Sequence, residues 1–351
     1  MIAYCTLVNI GKSHFDISYN DRLMFIGSCF ADNIGNIMAE QRFNVDVNPF
    51  GVLYNPLSVA SGCRLLLKPD PFIEDDLFFY NGMYHSFMHH GKFSGISAAD
   101  CTDKINESLK FAANRFNDIS YLVITFGTSY IYRLKNSLTG NKKLQTENDL
   151  VKICKNSNGR VVANCHKLPA EMFERELLTV DMIVNEWTGL LEDIWSENPS
   201  LKVIFTVSPI RHMKDGAHLN QISKATLLLA EQSLYEKYPE RISYFPAFEL
   251  MMDELRDYRF YADDMLHPSK VAIDYIWERF CHMYMDKTTK DVLKEVGQIT
   301  IALNHRPLNA SSDAYKQFLI QTLLKINCLQ SKYPYLCLLE YEKEIANKLD
   351  G

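Results

Sequence analysis

The chain has 351 residues, with 37 Lys and Arg against 43 Asp and Glu, a formal net charge of -6 and 47% hydrophobic residues. This is an ordinary globular composition, which excludes collagen-like, coiled-coil and disordered chains as descriptions of the whole. The net charge is mildly negative, and the sequence contains no run of basic residues. This charge argues against a nucleic-acid partner, because proteins that bind nucleic acids usually carry a net positive charge that attracts phosphate.

Nine cysteines are scattered along the chain, and no two of them have CxxC spacing. This pattern is not that of a zinc ribbon, and scattered thiols are typical of a reducing compartment. The first residues show no basic segment followed by a long apolar one, and no apolar stretch is long enough to span a bilayer. We expect a cytoplasmic protein without a membrane partner, although a chain trimmed of a signal peptide would give the same pattern.

Short apolar runs alternate with helical patterns in the first four fifths of the chain. The predicted strands are 22–26, 121–126, 203–207 and 242–245. The predicted helices are 30–41, 57–67, 98–116, 173–195, 221–238 and 268–285. Residues 71–95 are aromatic and punctuated by glycine, which predicts a loop with short strands. Apolar runs separated by helices indicate βαβ units, so we predict a three-layer α/β/α sandwich with a mainly parallel sheet.

The end of the chain changes character. Its predicted helices are 287–303, 312–330 and 334–349, with no strand among them. We therefore divide the chain into an α/β domain over residues 1–285 and a helical extension over residues 286–351.

Reactive side chains follow the predicted strands at the points where they end. Ser28 follows the first strand, Thr128 and Ser129 follow the second, and Arg211 and His212 follow the third. Ligands of open parallel sheets bind outside the carboxyl ends of the strands. These side chains should therefore meet at one edge of the sheet.

Ser28 lies between a strand and the start of a helix, where backbone amides and the helix dipole would stabilise a developing oxyanion. A serine needs a base to become a nucleophile, and His267 can be that base. Asp264, three residues earlier, can orient the imidazole. The alternatives are structural: Ser28 as a helix N-cap, and Asp264 with His267 as a capped helix start.

Six motifs occur in order along residues 1–285. They are FIGSCFA at 25–31, NPFG at 48–51 with YNP at 54–56, TFGTS at 125–129, NCHK at 164–167, SPIRH at 208–212 and DMLHPS at 264–269. In this order they resemble the GSCFA domain family, which looks like a branch of the SGNH hydrolases. The resemblance implies a flavodoxin-like sandwich, a Ser28–His267–Asp264 triad and ester hydrolysis, often of O-acetyl groups on carbohydrate.

The chain departs from the general SGNH pattern in two motifs. The first reads Gly-Ser-Cys in place of Gly-Asp-Ser, and Cys29 is therefore an alternative nucleophile beside Ser28. The third lacks the asparagine whose side chain donates to the oxyanion. The predicted oxyanion donors are the amides of Ser28 and Gly51, with a third from Thr128, Ser129 or Asn164. Gly51 has an alternative role as a turn glycine.

Several other residues are expected at the rim of the site. The predicted substrate-binding residues are His85, His90, His166, Arg211 and His212. The histidines do not have the spacing of a zinc motif, so no metal is predicted. Arg211 and His212 would hold a polar or anionic group, or form an exposed loop salt bridge.

These observations lead to one functional prediction and two alternatives. We predict a serine ester hydrolase without a cofactor, acting as an O-acetyl esterase on a small-molecule or oligosaccharide ester. The first alternative is an O-acyltransferase with the same triad, in which a sugar hydroxyl replaces water. The second is a non-catalytic carbohydrate-binding protein on the same scaffold.

Overall fold

The computed structural model describes residues 5–135, 144–145, 150–151, 159–309, 311–336 and 338–350. The strands are β1 (Arg22–Gly27), β2 (Asn44–Val47), β3 (Phe78–Tyr80), β4 (Met83–His85), β5 (Tyr121–Phe126), β6 (Tyr130–Leu134), β7 (Leu144–Gln145), β8 (Leu150–Val151), β9 (Val161–Val162), β10 (Phe173–Leu177), β11 (Lys202–Val207) and β12 (Ile242–Tyr244). The helices are α1 (Cys29–Glu40), α2 (Pro56–Leu67), α3 (Ala98–Phe116), α4 (Val180–Glu197), α5 (Gly216–Lys237), α6 (Ala247–Glu249), α7 (Lys270–Tyr284), α8 (Lys287–Asn304), α9 (Asp313–Lys332) and α10 (Leu339–Asp350).

The centre of the molecule is a five-stranded sheet in the order β12-β11-β5-β1-β2, with every neighbouring pair parallel. Numbered among themselves along the chain, these strands have the doubly wound order 2-1-3-4-5 of flavodoxin-like folds. The chain reverses its winding direction between β1 and β5, so a crevice opens at the carboxyl ends of these two strands. The predicted α/β/α architecture is confirmed.

Both faces of the sheet are covered by helices. Met24 and Ile26 of β1 pack into a core with α2, α3, α4 and α5. Leu23 and Phe25 point to the other face, into a core with α1, α7, α8, α9 and α10. Burial on both faces explains why the strands read as continuous apolar runs in the sequence.

The last three helices of the described chain share the core of the sheet. Side chains of α8, α9 and α10 belong to the same apolar cluster as those of α1 and α7. The Tyr341 hydroxyl of α10 donates to the carbonyl of Glu40 at the end of α1, at 3.0 Å. None of the helices in the described ranges combines the length and the apolar character needed to cross a membrane.

One predicted helix begins too early. Residues 173–177 were expected to be helical, but they form β10, which pairs antiparallel with β6. The segment reads Phe-Glu-Arg-Glu-Leu, and these residues favour helices locally, so pairing with a distant strand overrides their local preference. The helix α4 starts at Val180, and its N-cap is Thr179, whose hydroxyl accepts from the Met182 amide at 3.2 Å. A small sheet, β10-β6-β9, therefore stands beside the crevice.

Candidate functional site

A cavity of about 610 Å³ lies at the carboxyl ends of β1, β5 and β11. The predicted site residues on its wall are Ser28, His90, Thr128, Asn164, Arg211, His212 and His267. These residues are spread over most of the sequence. Their convergence follows from the parallel sheet, which brings the ends of its strands to one edge.

Asp264 and His267 form a hydrogen-bonded pair in a turn before α7. The Oδ2 atom of Asp264 lies 2.5 Å from Nδ1 of His267, and Oδ1 accepts the backbone amides of Leu266 and His267 at 2.9 Å each. These amides and the imidazole lower the pKa of Asp264 to about 2. The ionised carboxylate favours the tautomer with a proton on Nδ1, so Nε2 is left to accept one.

The Ser28 hydroxyl caps α1. It accepts the Phe30 amide at 3.3 Å, and the residue is only 1% exposed. The Ser28 amide donates to the carbonyl of Thr125 in β5 at 3.2 Å. The prediction that this amide donates to an oxyanion is therefore wrong, because pairing with β5 already uses it. Within the described chain, no hydrogen bond joins Ser28 to His267.

Cys29 is the first residue of α1 and is less buried than Ser28. Cys29 lines the cavity, and its Sγ atom lies 3.5 Å from the hydroxyl of Tyr54. Partial burial and this hydrogen bond raise the pKa of Tyr54. The Cys29 amide finds no acceptor among the described residues, as expected for the first amide of a helix. A free amide at this point can donate to an anion in the cavity.

Gly51 has the structural role that the sequence left open. Its amide donates to the carbonyl of Asn48 at 2.8 Å inside a turn, and its φ is +74°. A Cβ atom here would lie 2.2 Å from Cβ of His90. The prediction of an oxyanion donor at Gly51 is wrong, since its amide is engaged and the residue does not line the cavity.

Asn48, whose role was not predicted from the sequence, is fully buried in the same turn. Its Oδ1 atom accepts the Gly27 amide at 2.8 Å, and its Nδ2 atom donates to Asp32 of α1 at 2.5 Å. Asn48 thus ties the end of β1 to the first turn of α1. Its position in the NPFG motif and its φ of +44°, which asparagine tolerates well, were the available signals.

The three candidates for the third oxyanion donor differ in what they can still donate. Ser129 is fully buried, lies off the cavity wall and donates to Ser223 Oγ at 3.1 Å, so that prediction is wrong. Thr128 is on the wall, with Oγ1 3.2 Å from the same Ser223 oxygen. Asn164 is on the wall; its Oδ1 accepts the His166 amide at 2.8 Å, and its Nδ2 has no acceptor among the described residues.

A buried lysine behind the cavity was also missed. Lys224 of α5 is 0% exposed, and its Nζ atom donates to the carbonyls of Gly127 and Ser208 at 2.7 Å each. Burial lowers its pKa to about 7. Because Gly127 and Ser208 follow β5 and β11, this one side chain ties the ends of two neighbouring strands.

Two of the predicted rim histidines lie away from the cavity. His85 is held by Ser94 Oγ at 2.7 Å and by the Tyr80 carbonyl at 3.1 Å, and His166 is held by the Ser86 carbonyl at 2.8 Å. Burial lowers the pKa of both rings. Their prediction as substrate-binding residues is wrong, because these bonds make them supports of the loop after β4. In the described ranges, no group of three or more His, Cys, Asp or Glu could hold a metal ion.

The small sheet supplies a wall that the sequence did not reveal. Tyr130 and Tyr132 of β6, Arg175 of β10, and Lys214 and Asp215 before α5 all line the cavity. Arg175 donates to both carboxylate oxygens of Asp215 and lies over the Tyr130 ring at 3.8 Å. Arg175 and Asp215 are far apart in sequence, so no short sequence motif predicts that they pair.

The model of the GSCFA family matches residues 22–149 and 151–280. The chain belongs to the GSCFA family. A second match, to the C-terminal domain of GSCFA domain proteins, covers residues 296–351, which hold the second half of α8 and all of α9 and α10. No curated protein and no solved structure matches the chain. The family resemblance is thus confirmed. In this GSCFA protein, the larger match contains every residue that lines the cavity, from Ser28 to His267.

Proposed function

We propose that this GSCFA protein hydrolyses acyl esters through a covalent acyl-enzyme. The observation that carries the proposal is the pair of Asp264 and His267, joined at 2.5 Å, because His267 lines the same cavity as Ser28 and Cys29. The nucleophile comes from the first turn of α1. An imidazole held by an ionised carboxylate beside a hydroxyl or thiol is the arrangement that acyl transfer requires.

Each residue has one role in this mechanism. His267 Nε2 accepts the proton of the nucleophile as the ester carbonyl is attacked, and it returns that proton to the departing alcohol. Water then attacks the acyl-enzyme with His267 again as base. The bond between the acyl group and the nucleophile breaks, the carboxylic acid leaves, and the imidazolium returns its proton to the nucleophile. Asp264 stays ionised and stabilises the imidazolium. The side-chain amide of Asn164 and the backbone amide of Cys29 are the proposed oxyanion donors, because both lie at the cavity with no acceptor in the described chain.

Ser28 is the proposed nucleophile on the family resemblance, and Cys29 is the second candidate on the structure. Cys29 is the less buried of the two, and its own amide is free whereas that of Ser28 is not. Ser28→Ala and Cys29→Ala separate them. Loss of the capping hydroxyl costs about 1 kcal/mol by itself, so thermal melting of Ser28→Ala accompanies the kinetics.

The first experiment is a screen of p-nitrophenyl esters and acetylated oligosaccharides with the intact chain. We expect hydrolysis that falls by several orders of magnitude, roughly 10³ or more, in His267→Ala. An acyl adduct should appear in the intact mass after acid quenching. An adduct that hydroxylamine removes readily, and that Cys29→Ala lacks, assigns the nucleophile to the thiol. Unchanged hydrolysis in His267→Ala would contradict the proposal.

The substrate we propose is an O-acylated carbohydrate, which extends what the family resemblance implies. Acyl transfer to a sugar is the related alternative, and product analysis with and without acceptor sugar separates it from hydrolysis. A non-catalytic binding protein is favoured by the 1% exposure of Ser28 and its missing bond to His267 in the described chain. Sugar binding without hydrolysis of any ester would favour the non-catalytic binding protein.

The cysteines of the described residues are all free thiols, which supports a cytoplasmic location.

A further inference from the structure

The charged side chains around the cavity are unlike the chain as a whole. The protein carries a net charge of -6, yet the Lys, Arg, Asp and Glu residues on the cavity wall are Arg175, Arg211, Lys214 and one acid, Asp215. A cavity lined mainly by one sign of charge focuses the field and concentrates ligands of opposite charge.

The single carboxylate on the wall is already neutralised. Asp215 accepts from both terminal nitrogens of Arg175, and its side chain is only 7% exposed. This bonding to Arg175 lowers the pKa of Asp215. The pair leaves Arg211 and Lys214 as the uncompensated charges.

Neither of these two cations has a carboxylate partner in the described residues. Arg211 donates to the carbonyl of Met265 at 2.8 Å, and Lys214 donates to the hydroxyl of Tyr132 at 2.7 Å. Asp253 and Asp257 border a neighbouring cavity together with Arg211, but neither pairs with it.

Two buried polar atoms in the same segment also lack partners. They are Nε of Arg211 and Nε2 of His212. A buried donor or acceptor without a partner is costly, and a polar ligand in the cavity could satisfy it. Both residues stand on the wall that Ser28, Cys29 and His267 share.

We propose that this wall, formed by Arg211, His212 and Lys214 and backed by the Arg175–Asp215 pair, binds an anionic group of the ester substrate. The group is a carboxylate or a phosphate, such as a sugar acid or a sugar phosphate carries. The inference rests on the proposed ester hydrolysis and narrows its substrate class. The acyl group lies at the first turn of α1 while the negative charge lies against Arg211 and Lys214.

The test uses the full chain and three acetyl esters that differ in charge: 4-carboxyphenyl acetate, 4-acetoxyphenyl phosphate and the neutral methyl 4-acetoxybenzoate. We expect kcat/KM for at least one anionic ester to exceed that for the neutral ester by about tenfold or more. This preference should shrink with added salt, since exposed charges are screened. The better of the two anions identifies the group as carboxylate or phosphate.

The variants Arg211→Gln and Lys214→Gln should each lower the ratio of anionic to neutral kcat/KM by roughly three- to thirtyfold. Lys237→Gln is the matched control, because Lys237 lies at the far end of α5 from the cavity. It should leave the ratio unchanged. Equal rates on all three esters, or a ratio that survives the double variant Arg211→Gln/Lys214→Gln, would overturn the inference while leaving ester hydrolysis intact.

If no ester is hydrolysed, the proposed function fails, but the proposed anion site can still be tested by measuring binding. Calorimetric titration with glucuronate, glucose 6-phosphate and glucose is then compared in the unmodified chain and in the double variant. Binding of one anionic sugar, absent for glucose and lost in the variant, supports the site. Absence of binding for both anionic sugars contradicts it.

Discussion

The side-chain nitrogen of Lys224 donates to the carbonyl of Gly127 at 2.7 Å, and Lys224 is 0% exposed to solvent. The same nitrogen reaches the carbonyl of Ser208 at 2.7 Å. Gly127 and Ser208 both line the cavity, so the geometry of its wall depends on one side chain that does not itself line it.

Replacing this lysine should harm both stability and activity. Lys224→Met leaves two buried carbonyls without donors, and we expect the free energy of unfolding to fall by about 2–4 kcal/mol. Ester hydrolysis should fall as well, because the strand ends are released. Denaturant titration measures the first effect and kcat the second. Lys237→Met, at the exposed end of the same helix, is the control, and equal behaviour of the two variants would refute this role for Lys224.

The third oxyanion donor can be assigned by three substitutions. Asn164→Ala should lower kcat by roughly 10²–10³ with little change in KM, because its bond strengthens only as charge develops. Thr128→Val should cost less. Ser129→Ala should act on stability, since Ser129 is buried and bonded to Ser223. If Thr128→Val proves the more damaging to kcat, the donor is the hydroxyl and Asn164 has a structural role.

The turn at Gly51 offers a matched pair of glycines. Gly51→Ala combines a φ of +74° with a Cβ atom 2.2 Å from His90, whereas Gly82→Ala has a φ of +78° and open space. The backbone strain alone costs about 1–2 kcal/mol, which Gly82→Ala should show. Gly51→Ala should lose about 1–3 kcal/mol more through overpacking. Thermal melting of both variants checks this, and equal losses would mean that the contact with His90 relaxes freely.

A buried histidine should make the fold sensitive to acid. Burial lowers the pKa of His89 from 6.5 to about 3. The unfolded chain binds this proton first, so stability is complete above about pH 6.5 and falls as the pH drops towards 3. Between pH 7 and 5 the loss from this residue should be about 2 kcal/mol.

His89→Phe should remove that part of the loss, because Phe72 and Phe93 already surround the ring. Urea titrations at both pH values measure it. His218→Gln is the control, since His218 is exposed on α5. An unchanged pH slope in His89→Phe would show that His89 is not the source.

The sequence was sufficient for features that are local or that the sheet imposes. The main strands are continuous apolar runs because both faces of the sheet are covered, and the parallel topology then gathers their ends. The contact between Asp264 and His267 spans only three residues, so the local spacing made it a candidate and the family resemblance favoured it.

The features that were not predicted from the sequence depend on partners that are distant in the sequence. The strand β10 forms because β6 is available to pair with it, and Arg175 meets Asp215 only across that sheet. The predictions that the amides of Ser28 and Gly51 donate to an oxyanion failed for the same reason. A backbone amide carries no residue signature, so whether it is free or already bonded is decided by the neighbouring strand or turn.

The docking of α10 on α1 has a consequence for how the protein folds. The Tyr341 hydroxyl bonds to the last residue of α1, and the Arg42 guanidinium lies 3.9 Å from the centre of the Tyr341 ring. The opposite end of α1 holds Ser28 and Cys29. A chain ending after α7 would lose the side chains of α8, α9 and α10 from the apolar core that they share with α1 and α7. The two family segments should therefore unfold together in one cooperative transition, and not as two independent units.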